Sequence, residues 1–122
     1  MNTHTPSGHT NAITASRVIG TAVYNMSGDH IGSIEDVMLE KMSNGIMFAV
    51  IGFGGFLGIG EKYHAIPWSA LDYDEEKGGY VVPFTKAQLE AGPSYSINEL
   101  TRGDGTLARD ESYSYYKVDP YW

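Results

Sequence analysis

The 122-residue chain contains no cysteine, which removes disulfides, thiolate metal sites and cysteine nucleophiles together. It is also poor in positive charge: 8 Lys and Arg against 15 Asp and Glu give a net charge of −7. Lysine and arginine contacts to phosphate supply most of the affinity for nucleic acid. A chain this acidic, with no basic cluster, does not suit nucleic acid or an anionic lipid surface. No apolar run approaches the roughly 20 residues that span a bilayer. The opening MNTHTPSGHTNAITAS has neither a basic start nor an apolar centre, so it does not read as a secretory signal. These absences predict a soluble, cytoplasmic protein.

What is present suffices for one domain. At this length folding buries about two-thirds of the unfolded chain's surface. A hydrophobic content of 42% with 19% charged residues supplies an ordinary core. Residues 1–16, rich in Thr, Ser, Asn and His, read as a flexible N-terminal arm. Val18–Tyr24 reads as a strand, and Asn25-Met-Ser-Gly-Asp29 as a turn. The stretch HIGSIEDVMLEKMSNG is ambiguous. Ile31, Ile34, Val37, Met38 and Met42 recur at helical spacing. A bulged strand through Ile34–Leu39, paired with Val18–Tyr24, accounts better for Gly32 and the upstream turn.

After the turn at Ser43-Asn44-Gly45, IMFAVIG sends Ile46, Phe48 and Val50 to one face and Met47, Ala49 and Ile51 to the other. Both faces are apolar, so both need cover: one a core, the other an extra segment or a second subunit. KYHAIPW reads as a strand ended by Pro67, with further strands near Leu71–Asp74 and at Tyr80–Val82. PFTKAQLEAG is the clearest helix, capped by Thr85 and stopped by Gly92-Pro93. RGDGT then reads as a loop, and the chain ends in ESYSYYKVDPYW. Short strands separated by turns every 8–12 residues or so indicate an all-β barrel or sandwich.

The run GGFLGIGEKYHAIP looks like a phosphate loop, since Gly55 and Gly60 stand five apart with a lysine behind. It fails in detail. Glu61 occupies the lysine position, Tyr63 replaces the metal-binding hydroxyl, and Pro67 closes the segment before a helix could meet the anion. The run reads as a strand-connecting loop in which Phe53, Phe56, Leu57 and Ile59 are interleaved with glycines. Those side chains either plug one end of the barrel or present themselves to a partner or an identical subunit. DYDEEKG is not a calcium loop, because the sixth and twelfth positions are Lys77 and Pro83. It reads as a solvated hairpin tip.

Glu35 and Asp36 are adjacent, and on a strand they would face opposite ways rather than form an acid–base pair. The four histidines are scattered, and His64, on one face with Ile66, reads as partly buried. The Arg102-Gly-Asp104 and Asn25-Met-Ser27 patterns matter only outside the cell and are set aside. The last ten residues hold five aromatics: Tyr113, Tyr115, Tyr116, Tyr121 and Trp122. Such a tail packs on its own domain, across a homodimer, or on a distant partner.

Three stretches carry a family likeness: ITASRVIGTAVYNMSGDHIGSIEDVML, GIGEKYHAIPWSALDYDEEKGGYVV and FTKAQLEAGPSY. They resemble the PRC-barrel family, the small β-barrel of the photosynthetic reaction centre H subunit's cytoplasmic domain, over about Ile13 to Tyr95. The ending YYKVDPYW is similar to tails of bacterial members. The resemblance implies strand at Ile31–Leu39 and a docking role. In the reaction centre such a domain caps membrane-embedded subunits, and in the ribosome maturation factor a related barrel binds a ribosomal protein. This chain shows neither the preceding transmembrane helix nor the preceding barrel, so neither job transfers. Gly28, Gly32, Gly60, Pro67 and Trp68 match the family as structural positions: turn, close approach, loop exit, strand end and anchor. No catalytic residue belongs to the pattern.

The expected protein is mainly β, a barrel of about five or six short strands with one short C-terminal helix and an irregular aromatic tail. Residues 17–95 form the barrel, and 96–122 an extension lying on it or on a second subunit. The expected function is a non-catalytic protein-binding or assembly module, homodimeric, without cofactor. Its candidate partner-binding residues are Phe53, Phe56, Leu57, Ile59, Tyr115, Tyr116 and Trp122. The alternative is a small-molecule- or metal-binding regulatory domain using His64 with nearby carboxylates, or the barrel mouth.

Overall fold

Turn chemistry divides the N-terminal half into three antiparallel strands. The computed structural model describes residues 11–53 and 62–122. A single helical turn, α1 (Ala15–Val18), leads into β1 (Ala22–Tyr24), β2 (His30–Glu40) and β3 (Gly45–Phe53). Asn25 makes the first turn: its Oδ1 accepts from the backbone N–H groups of Ser27 and Asp29 at 3.0 and 2.9 Å. Gly28 completes it at φ +87°, a left-handed conformation that costs glycine little. At Gly32 the backbones of β2 and β3 approach so closely that a Cβ would collide with the Gly52 carbonyl oxygen.

The second half runs β4 (Tyr63–Pro67), β5 (Asp72–Asp74), β6 (Gly79–Val81), α2 (Lys86–Ala91), β7 (Ser94–Tyr95), α3 (Ile97–Thr101) and α4 (Thr106–Tyr116). Pro67 ends β4 and precedes a 3-10 turn at Trp68–Ala70. Asp74 Oδ1 shapes the β5–β6 hairpin by accepting from Glu76 and Lys77 N–H at 2.9 and 3.1 Å. A capping box opens α2, in which Thr85 and Gln88 satisfy each other's backbone N–H groups. Ser96 and Glu99 do the same for α3.

All seven strands join one sheet in the order β5-β6-β1-β2-β3-β4-β7. Every pairing is antiparallel except β1 with β6, where Val23 lies opposite Tyr80. No ladder joins β5 to β7 among the described residues, so the sheet curls without closing. Its two faces carry separate cores. Ile34, Ala49, Ile51 and Ile66 pack with Leu89 and Tyr116 on one side. Phe48, Val50 and Ala65 pack with Tyr95, Leu100 and Ala108 on the other.

Several expectations change in detail. The segment beginning at Val18 is not all strand: Val18 closes α1 and is buried, and β1 starts only at Ala22. The strands among the described residues number seven, because Ser94–Tyr95 adds a short edge beside β4. Met47 joins the Phe48 face rather than the Ala49 face, because the bulge opposite Met38 and Leu39 shifts the pleat by one residue. A second bulge leaves Glu35 as the extra residue opposite β3, and Glu35 and Asp36 are both exposed. The C-terminal part has three short helices rather than one, and the tail is irregular only beyond Tyr116.

Candidate functional site

Helix α4 organises the surface that the aromatic residues share. Gly105, at φ +81°, starts it. Lys117, at φ +57°, ends it in a Schellman turn, with Val118 N–H donating to the Tyr113 carbonyl at 3.0 Å. Ala108, Arg109, Ser112, Tyr113 and Tyr116 form the buried stripe, spaced by about one helical turn. Tyr113 Oη donates to the Met47 carbonyl at 2.9 Å, which ties α4 to β3 beneath the second core. Burial, with Tyr121 beside it, pushes the Tyr113 phenol up to about 12.

The two adjacent tyrosines nominated from sequence separate on this helix. Tyr116 turns inward, 7% exposed, and stacks on Phe84 with ring centroids 4.5 Å apart. Its buried Oη has no hydrogen-bond partner among the described residues. Tyr115 faces out at 38% exposure, and its Oη donates to the Gln88 carbonyl at 2.7 Å, bridging α4 to α2.

Trp122 lies over the Arg109 guanidinium at 3.7 Å from ring centroid to Cζ. Arg109 also pairs with Asp110 at 3.0 Å and with Glu40 at the end of β2 at 3.6 Å. Burial opposes its charge, but Asp110 and the Tyr121 hydroxyl outweigh that and raise its pKa above the ordinary value. The rings of Tyr113, Tyr121 and Trp122 meet edge to face at 4.9 to 5.8 Å. Tyr121 and Trp122 are nonetheless 44% and 50% exposed. The result is an aromatic platform clamped to one arginine.

Phe53 ends β3 half-buried, with its ring 4.5 Å from that of His64. His64 is buried on β4, and its Nδ1 has no partner among the described residues. Burial lowers its pKa below 6.5, while the Pro93 carbonyl pulls the other way. Phe56, Leu57, Ile59 and Gly60 lie outside the described residues. Pro67 is fully buried, and Trp68 packs against the first core with its ring 5.7 Å from Tyr80. Among the described residues no three His, Cys, Asp or Glu side chains converge on a metal-sized site. No helix of the described residues is long and apolar enough to cross a membrane.

Arg109 is the residue that sequence reasoning missed. Its signal was the spacing of four linking Ala108, Ser112 and Tyr116, and linking Arg109 to Tyr113. The pattern was faint because Ala108 is the one aliphatic residue among these. The side chain of Asn25 is buried and committed to its own turn, so the sequon is structural. Arg102–Gly105 form a 3-10 turn in which Gly103 and Asp104 are left-handed.

These features define a small, mainly β domain with an exposed aromatic platform on α4. Residues 10–89 match the family model of the PRC-barrel domain, and the chain belongs to that family. An uncharacterized protein of Deinococcus radiodurans is 24% identical over 109 residues, covering 84% of this chain and 39% of the relative. The chain thus spans about two-fifths of that relative's length. A solved structure from Pseudomonas aeruginosa, described as a 16S ribosomal RNA processing protein RimM, is also similar. It has 13% sequence identity and a TM-score of 0.41, covering 68% of this chain and 50% of that one.

Proposed function

We propose that this chain is a non-catalytic protein-binding or assembly module that acts as a homodimer in the cytoplasm. The observation that carries this reading is the platform of Tyr121 and Trp122, exposed at 44% and 50% yet held by Arg109 and Tyr113. Exposed aromatics fixed in advance lose little conformational freedom on binding, which is why Trp, Tyr and Arg dominate interface energetics. Membership of a family of small binding barrels points the same way. Tyr116 serves the domain's own core in this reading and is withdrawn from the contact set. Tyr115, which bridges α4 to α2, is a second exposed ring, and Phe53, Phe56, Leu57 and Ile59 remain a separate candidate set.

Light scattering at tens of micromolar, on the order of ordinary dimer affinities, tests the reading. The unmodified chain is expected to measure as a dimer. Trp122→Ala with Tyr121→Ala is expected to give a folded monomer, and Phe56→Ala with Leu57→Ala tests the other face in the same way. A strict monomer for the unmodified chain removes the homodimer. A dimer that survives both double substitutions shows that neither face is the contact.

A further inference from the structure

The β5 end of the sheet carries a cleft that the protein-binding reading does not use. It holds about 540 Å3 between the β5–β6 hairpin, Arg17 and the segment 11–14. That volume falls in the range of small-molecule sites. Tyr73 and Tyr80 lie opposite each other across the β5–β6 ladder, their rings edge to face at 5.2 Å and 74°. Tyr80 is buried and backed by the Trp68 ring at 5.7 Å, whereas Tyr73 is 42% exposed on the cleft wall.

Strand alternation sends Asp72 and Asp74 to the face opposite Tyr73, so neither acidic side chain lines the cleft. Arg17 is its one cationic lining residue and forms no ion pair among the described residues. Burial, with Tyr73 beside it, raises the Tyr80 phenol above its ordinary value, which keeps that hydroxyl protonated. Ile13 adds an apolar wall, and Thr14 a hydroxyl. A guanidinium without a partner selects a carboxylate, and a fixed tyrosine face selects a planar ring.

We propose that this cleft binds a small aromatic carboxylate, with the carboxylate on Arg17 and the ring against Tyr73. The test is an amide NMR titration of the full chain with three probes. They are 4-hydroxybenzoate, acetate (carboxylate without ring) and 4-hydroxybenzyl alcohol (ring without carboxylate). The expected result is saturable shifts at residues 11–17, Tyr73 and Tyr80 with 4-hydroxybenzoate, at a dissociation constant on the order of 1 mM or below. Either partial probe binds about tenfold or more weakly.

Arg17→Gln is expected to weaken 4-hydroxybenzoate by about tenfold or more, as loss of a charge-assisted bond does. Tyr73→Leu weakens it severalfold, and Asp72→Asn, on the other face, leaves it unchanged. A dispersed amide spectrum establishes that each variant is folded. Absence of saturable shifts, equal binding of acetate, or full affinity in Arg17→Gln overturns the proposal. Because the cleft and the α4 platform share no lining residue, loss of one leaves the other testable.

Discussion

Tyr113 and Tyr116 are both buried on the inner side of α4, yet deleting their hydroxyls has opposite expected consequences. Tyr113 Oη donates to the Met47 carbonyl at 2.9 Å, across a separation of 66 residues in the chain. Tyr113→Phe removes that bond and leaves a carbonyl in a dry interior. A neutral bond contributes about 0.5–1.5 kcal/mol net, and a stranded acceptor adds to the loss, so the cost is about 1–2 kcal/mol. Among the described residues Tyr116 Oη has no partner where it is buried, so its desolvation is not repaid there. Tyr116→Phe keeps the ring on Phe84 and removes only that penalty. The expected change runs from zero to a gain of about 1 kcal/mol.

Thermal unfolding at neutral pH reads both variants. Each kcal/mol is worth about 3–5 °C at this chain length, so the two melting points should separate by several degrees, Tyr113→Phe below the unmodified chain and Tyr116→Phe at or above it. Equal losses would mean that the Tyr116 hydroxyl has a partner after all. No effect from either would mean that α4 does not dock on β3, and the second core would have to be reconsidered.

Leu100 fills the second core, and Leu100→Ala should cost about 2–5 kcal/mol, read from the urea midpoint at constant slope. Lys117 closes α4 in a left-handed conformation that favours glycine, so Lys117→Gly is expected to raise stability by about 0.5–1 kcal/mol in the same assay. Stability should also fall at both ends of the pH scale. His64 has a folded pKa below 6.5, so its contribution is present above pH 6.5 and is lost as the pH drops below it. Comparing urea midpoints of the unmodified chain and His64→Phe at pH 7.5 and about 5.5 isolates that part. The Tyr113 phenol is raised from 10.0 to about 12, so its contribution is present below pH 10 and disappears between 10 and 12. Tyr113→Phe should flatten that alkaline loss.

Much of the barrel region was legible because short-range chemistry decides it. The Asn25–Asp29 turn, the bulged strand through Ile34–Leu39 and the helix opened by Thr85 each rest on contacts within a few residues. The double-sided apolar pattern of β3 also required that both faces be covered. Neither what covers the second face nor the helical form of the last segment can be read the same way. Tyr and Ser have modest helix propensity, and the buried stripe of α4 has no aliphatic residue larger than Ala108. Its helix is favoured only once Ala108 and Tyr113 rest on the far side of β3, a contact made across more than fifty intervening residues.

The same distance effect governs the candidate site. Composition marked the end of the chain as aromatic, and period-independent counting placed Tyr115 and Tyr116 together. A helix turns by about 100° per residue, so one ring went into the core and its neighbour to the surface. Trp122 became a platform because Arg109 lies beneath it, held by Glu40 from the far end of β2. Local sequence determined the turns, the bulged strand β2 and the capped helix α2. Packing between distant elements determined which aromatic side chains remain available to a partner.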